Sequence, residues 1–337
     1  MKAVVMYKPG DVRVEDVEKP KPGRGEILIK VKKSGVCGTD FILYHGAYYA
    51  NYPIIFGHEY SGEIEGLGEG VKSFIIGDRV TVDPNIVCHK CYFCNIGEEH
   101  LCENLITLGI HRNGGFAEYS VVPESNVFRL PDNLSFEVGA LVEPVACAVR
   151  GIEVANIKQG DTVVILGGGG MGNLVMQLTS IAGAANIIVS EPIAKRREIA
   201  KEYGASYTID PINDNVEKEV KKIKYCGADV VFECSGNSKV AELALHLVRR
   251  GGHVVWFGVC PKGESIPIIP FDVNENELFI SGSFNNPYTQ VKALKLLASG
   301  KIRTEKLVNP TISLNDFNKV WKLFGGPDTM RIMIDIK

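Results

Sequence analysis

The chain has 337 residues, 45% of them hydrophobic and 23% charged, which is an ordinary globular composition with length enough for two domains. A formal net charge of −3 argues for neither a nucleic-acid nor a membrane-surface partner, and neither is expected. No apolar run approaches the roughly 18 residues of a spanning helix, and the N-terminus has no signal-peptide layout, so a cytoplasmic protein is expected.

Residues 1 to about 130 read as mostly β. Ala3–Tyr7, Val12–Val17, Ile27–Val31, Gly62–Gly66 and Arg79–Val82 are short runs bounded by Gly, Pro or Asp turns, several alternating apolar with polar. Nine cysteines is an odd count for a disulfide framework, and four of them fall between Cys88 and Cys102. Cys88-His-Lys-Cys91-Tyr-Phe-Cys94, then Cys102, can close a tetrahedral shell around a structural Zn²⁺, with an iron–sulfur cluster as the alternative. A second set is scattered: Cys37-Gly-Thr39-Asp40, Gly57-His58-Glu59 and Glu143-Pro144. Thiolate, imidazole and carboxylate are the donors of a catalytic zinc site, but sequence spacing does not bring these segments together.

From about Gly160 strands alternate with helices, as in a parallel sheet covered on both faces. The strands are expected at Val163–Leu166, Ile187–Ser190, Tyr207–Ile209, Asp229–Glu233, His253–Phe257 and Leu278–Ser281. Between the first strand and its helix lies Gly167-x-Gly169-x-x-Gly172, a dinucleotide-binding turn. Gly167 serves the tight turn, Gly169 the close approach of a pyrophosphate, and Gly172 the packing of helix on sheet. Glu191 ends the second strand about 20 residues on, where a carboxylate accepts from ribose hydroxyls and repels a 2′-phosphate, favouring NAD over NADP. Asn286-Pro287 reads as N-cap and first residue of a helix running to Gly300. Ser313-Leu-Asn-Asp316 reads as a capping box opening an amphipathic helix.

In this order, Cys37–Asp40, Gly57–Gly62, Gly77-Asp-Arg-Val80, Cys88–Cys102, Gly114–Tyr119, Glu143-Pro144 and Gly167–Gly172 resemble the zinc-containing medium-chain alcohol and polyol dehydrogenases over nearly the whole chain. A carboxylate at 143, where simple alcohol dehydrogenases carry a second Cys, looks like the sorbitol, threonine and butanediol branch. The resemblance implies an α/β protein: a doubly wound dinucleotide-binding domain (148–284) plus a chaperonin-10-like, β-rich catalytic domain (1–147 and 285–337) holding one catalytic and one structural zinc. Cys37 and His58 would be catalytic-zinc ligands, with Glu59 or Glu143 third. Cys88, Cys91, Cys94 and Cys102 would hold the structural ion.

Thr39 would take the first proton of a relay, with His45 or Glu143 carrying it onward, and Asp40 would orient His58 or its loop. On the cofactor side Met171 would cover the turn and Arg196 would stack on adenine, while Lys195 and Arg197 leave room for a 2′-phosphate. Phe257, Gly258 and Val259, with Ser283, Phe284 and Asn285, would offer backbone to the nicotinamide amide. Phe284-Asn285-Asn286 stands where sorbitol dehydrogenases read Phe-Arg-Tyr, which counts against sorbitol itself. The implied activity is hydride transfer between NAD and a secondary alcohol of a polyol, sugar alcohol or diol, free or phosphorylated, by a homo-oligomer (dimer or tetramer). The competing readings are a threonine or simple secondary-alcohol dehydrogenase of the same family, a zinc-free quinone or enone reductase, and a zinc-ribbon binding module.

Overall fold

The N-terminal apolar runs become strands, the first buried on both faces over Ala3–Met6. In the computed structural model, which describes residues 1–337, they are β1 (Lys2–Lys8), β2 (Asp11–Asp16) and β3 (Glu26–Gly35). Helix α1 (Gly38–Tyr44), β4 (Ile54–Ile55), β5 (Glu59–Leu67), β6 (Arg79–Val82) and β7 (Asn85–Ile86) follow. A short helix α2 (Tyr92–Asn95), β8 (Ile106–Thr107), β9 (Tyr119–Pro123), β10 (Val127–Arg129) and α3 (Phe136–Gly139) complete this stretch. Along β3, Ile27, Leu28, Ile29 and Val31 are buried, and Ile27, Ile29 and Val31 join Phe56, Tyr60 and Phe116 in the β-rich core. Helix α4 (Val142–Ala155) then leads into the second unit.

That unit is a six-stranded parallel sheet. Its strands are β11 (Thr162–Leu166), β12 (Asn186–Ser190), β13 (Tyr207–Ile209), β14 (Ala228–Glu233), β15 (Val248–Trp256) and β16 (Phe279–Gly282). Between them run α5 (Gly170–Ala182), α6 (Ala194–Glu202), α7 (Val216–Ile223), α8 (Ser238–Leu247) and α9 (Pro270–Glu275). The order β13-β12-β11-β14-β15-β16 reverses direction at β11, the topology of a doubly wound dinucleotide fold. All five residues of β11 and all six of β14 are buried, as strands covered on both faces must be. The strand expected to start at His253 starts at Val248, so Gly251 and Gly252 lie inside β15.

Helix α10 (Gln290–Ala298), β17 (Thr311–Ser313), α11 (Val320–Leu323) and β18 (Met333–Asp335) follow. The sheet β10-β6-β5-β3-β18-β17, with β9 also on β3, is thereby closed by C-terminal residues. Two expectations about helix starts fail here. Helix α10 begins at Thr289 as N-cap, not at Asn286, because Tyr288 is left-handed (φ 58°) and the Asn286 side chain instead takes an N–H from Asn85 at 2.7 Å. Ser313 does precede a helical segment, but its side chain caps nothing and residues Leu314–Lys319 wind as a 3₁₀-helix before α11.

The chain divides into two compact units: Met1–Ala146 with Asn285–Gly300 and Val308–Lys337, and Cys147–Phe284 with Lys301–Leu307. The strap Lys301–Leu307 is tied to the dinucleotide unit by Gln177, which donates to and accepts from Arg303, and by Tyr203, whose hydroxyl accepts from Lys306 N at 2.9 Å. No helix is long and apolar enough to cross a membrane.

Candidate active site

Three strand ends converge in the β-rich unit. Gly35, last in β3, pairs with Glu59 of β5 on one side and Met333 of β18 on the other. A Cβ on Gly35 would stand 2.5 Å from Glu59 Oε2, so only glycine leaves room for that carboxylate. Gly57 is left-handed (φ 90°) and lies flat on the Phe116 ring, which turns the chain so that His58 and Glu59 point inward. Cys37 lies one residue past β3, after Val36, and is the N-cap of α1; Asp40, at the third helical position, accepts from Cys37 N at 2.9 Å.

Two of the three segments that sequence alone left apart thus meet. The donor atoms of Cys37, His58 and Glu59 all lie within 4.8 Å of one another, and His58 and Glu59 are 6% and 1% exposed. The Cys37 thiol faces Thr39 Oγ1 at 3.7 Å, and Asp40 Oδ1 lies 3.6 Å from His58 Nδ1. Arg331, just before β18, donates through Nε to Glu59 Oε2 at 3.1 Å and through a terminal nitrogen to Oε1. Sequence reading passed over Arg331; its one signal is a lone cation before the apolar run Ile332-Met-Ile334.

The electrostatics favour a cation. Burial pushes the Cys37 thiol up, and Glu59 adds to it. Burial alone lowers the His58 imidazole, but Cys37, Asp40 and Glu143 outweigh it and hold the group well above its usual range. Asp40 is pushed up to about 6 by burial, against the pull of His58 and the Cys37 N–H. Glu143, in the first turn of α4 and 8% exposed, acts on both His58 and Arg331. A thiol, an imidazole and carboxylates crowded in a buried space with a surplus of anions fit a divalent zinc. His45 does not join this group: it is the exposed C-cap of α1, edge-on to Phe41 at 4.4 Å.

Cys88, Cys91, Cys94 and Cys102 also bring their sulfurs within 4.8 Å of one another. Left-handed His89 (φ 54°) folds the loop so that N–H groups of Lys90 and Cys91 reach the Cys88 sulfur, which they draw down to about 6. N–H groups favour the thiolate at Cys88 and Cys91, while burial and the neighbouring thiols push Cys94 up to about 12; four sulfurs leave no open position.

In the parallel sheet, Gly167 is left-handed (φ 104°), and a Cβ on Gly172 would fall 1.8 Å from Gly167 O, so neither position tolerates a side chain. Gly169 is the N-cap of α5; a Cβ there would meet only Arg196, at 3.8 Å, so the space before the helix N-terminus is open to an anion. Met171 lies in the first turn of the same helix. The Glu191 carboxylate accepts from Gly168 N at 2.7 Å and Ile193 N at 2.9 Å, with Arg196 at 3.9 Å. Arg197 bonds Asp210 at 2.9 Å and the carbonyls of Glu191 and Pro192, so it is committed to the fold. Phe257 and Gly258 give their N–H groups to Glu233 O, while Val259 is 62% exposed. Phe284 is 48% exposed, Ser283 N donates to Trp256 O, and Asn285 is left-handed.

Residues 23–132 match the alcohol dehydrogenase GroES-like domain and residues 170–299 the zinc-binding dehydrogenase domain. The chain belongs to the zinc-containing medium-chain dehydrogenases. It is 40% identical to an L-threonine 3-dehydrogenase of Pyrococcus horikoshii, covering 96% of this chain and 94% of that one. It is 35% identical to a sorbitol dehydrogenase of Bacillus subtilis, covering 93% and 90%. A solved structure from Sinorhizobium meliloti 1021, described as a zinc-binding dehydrogenase bound to NADP, superimposes with a TM-score of 0.96 at 38% identity, covering 99% and 98%. The protein is therefore an oxidoreductase of the alcohol and polyol dehydrogenase family with a nicotinamide dinucleotide site.

Proposed function

We propose that the protein oxidises a secondary alcohol of a polyol, sugar alcohol or diol with NAD, holding one catalytic and one structural zinc. The observation that carries this reading is the buried meeting of Cys37, His58 and Glu59. Cys37, His58 and Glu59 would hold the catalytic ion, with Glu143 beside them, and the four lobe cysteines the structural one. When bound, zinc supplies the Lewis acidity that makes an alcohol hydroxyl acidic, and the nicotinamide accepts the hydride. Thr39, beside the Cys37 sulfur, would receive the hydroxyl proton, and Glu143 rather than exposed His45 would carry it onward. Asp40 fixes the α1 start and faces His58, so it orients two ligands at once.

Selection of NAD over NADP rests on Glu191: its buried charge at the β12 tip repels a 2′-phosphate, and Arg197 is not available to receive one. A homo-oligomer is the proposed assembly, since β16 is an edge strand carrying Phe279 at 63% exposure. Nine free cysteines suit a reducing, cytoplasmic setting.

The deciding experiment is zinc content together with NAD reduction across sorbitol, xylitol, arabitol, galactitol, their phosphates, threonine and 2,3-butanediol. Two zinc ions per chain and NADH formed with a polyol or diol support the reading. Turnover confined to threonine favours the second reading, which the 40% identity to a threonine dehydrogenase supports. Turnover without zinc removes both.

A further inference from the structure

Glu233 lies outside the roles described so far. It ends β14, is fully buried, and one carboxylate oxygen makes no hydrogen bond. Burying a carboxylate is costly, and a buried polar atom left without a partner calls for a reason. Its other oxygen, Oε1, accepts from Ser235 N at 2.6 Å, Gly236 N at 2.9 Å and the Ser235 hydroxyl. Its main-chain carbonyl accepts from Phe257 N at 2.9 Å and Gly258 N at 2.7 Å, at the tip of β15.

The unpaired oxygen Oε2 faces Gly258, where an added Cβ would come within 2.6 Å of it. Gly236, left-handed at φ 69°, is pressed against Val259 O, which a Cβ there would approach to 2.7 Å. The turn held by Glu233 also touches the dinucleotide turn: Cys234 N donates to Leu166 O at 2.8 Å, and a Cβ on Gly167 would meet Ser235 N at 3.2 Å. One side chain thus clamps the turn after β14 and sits against the turn after β15.

In a doubly wound sheet the dinucleotide spans the strand tips, one mononucleotide on each side of the switch point. With pyrophosphate at Gly167–Gly172 and the adenine ribose at Glu191 just past β12, the nicotinamide half falls to the β14–β16 side. We infer that Glu233 is a positioning residue for that half: it fixes the Ser235–Gly236 and Gly258–Val259 backbones against which the nicotinamide ribose and ring rest. This rests on the dinucleotide reading above. Glu233 touches no cofactor atom in this role and lies on the opposite side of β11 from Glu191, so its effect divides the cofactor in two.

The test compares NADH and ADP-ribose binding to the full chain by calorimetry, with thermal melting alongside. Glu233→Ala is expected to weaken NADH about tenfold, as expected for loss of hydrogen bonds to a charged group, while ADP-ribose stays within about twofold. Glu233→Gln keeps an acceptor at Oε1 and is expected to restore most of the NADH affinity. A role limited to stability would lower the melting temperature without splitting the two ligands. Equal loss of both ligands, or no loss of either, overturns the inference. If Glu233→Ala does not fold, Ser235→Ala decides: it removes one donor to the carboxylate, so a smaller split of the same sign is expected and its absence overturns the inference. Failure of the wild-type chain to bind ADP-ribose would instead overturn the dinucleotide reading.

Discussion

Arg331 and Glu59 form a two-point ion pair across the end of β3, with side chains 5% and 1% exposed, and Glu59 is also one of the three donors that meet at the candidate zinc site. The carboxylate therefore faces a fixed cation on one side and the metal position on the other. Arg331 is raised above its ordinary range; burial opposes that, but Glu59 and Cys37 outweigh it.

Removing one partner of such a pair leaves a buried charge uncompensated. Arg331→Met is expected to cost about 3–5 kcal/mol and to lower zinc occupancy at the Cys37 site. Thermal melting and zinc analysis of the purified variant check this. An unchanged melting temperature would mean that water reaches Glu59.

Cys37→Ser and Cys91→Ser should separate the two metal positions. Each is expected to lower zinc from two ions per chain to one. The first should cut turnover by about 10³-fold or more, corresponding to several kcal/mol of Lewis-acid stabilisation, with NADH binding kept. The second should chiefly destabilise the loop Cys88–Cys102, read as faster proteolysis there. A metal count that stays at two in either variant contradicts the assignment.

Glu191→Ala should shift cofactor choice. Losing a charged acceptor for the ribose and the repulsion of a 2′-phosphate together should raise the NADP-to-NAD ratio of kcat/KM by about 10²-fold. Because Glu191 also holds Gly168 N and Ile193 N, some loss of absolute affinity for both cofactors is expected. The measurement is a pair of saturation curves. A ratio that does not move would shift the selection to residues beyond the β12 tip.

Asp229 gives a pH prediction. Burial pushes its carboxyl up, but Lys224, Arg249 at 2.6 Å and Thr162 N at 2.7 Å pull harder, so its pKa lies below the ordinary value. A depressed folded-state pKa contributes stability that is complete above the unfolded value, near 4, and lost as pH falls through the folded one. Asp229→Asn is expected to cost about 1–3 kcal/mol at neutral pH, with the gap to wild type closing in acid. Denaturant melts at several pH values would show it; a gap constant with pH would rule out the ionic contribution.

Much of the site was legible because its chemistry is local. Gly167, Gly169 and Gly172 carry the turn in their spacing, and Cys88 to Cys102 carry a metal loop in theirs. What stayed hidden depends on residues distant in sequence. Glu59 and Arg331 are separated by 272 positions, and only the register that sets Gly35 between β5 and β18 joins them. The start of α10 was misread because Asn286 looks like a cap in isolation, whereas folding commits its side chain to Asn85, 201 residues away. Glu233 was visible only as the last residue of a strand; its hydrogen bonds to Ser235 and Gly236 depend on a left-handed turn that composition does not announce.

The strap Lys301–Leu307 makes the chain pass between its two units four times, so neither corresponds to one uninterrupted stretch of polypeptide. A truncation ending at Phe284 would strip Gln177, Glu202 and Tyr203 of the partners that Arg303 and Lys306 supply. Anyone wishing to isolate the nucleotide half for crystallisation or labelling must graft that heptapeptide back on. Any recombination of halves between relatives likewise needs two junctions beyond the obvious pair.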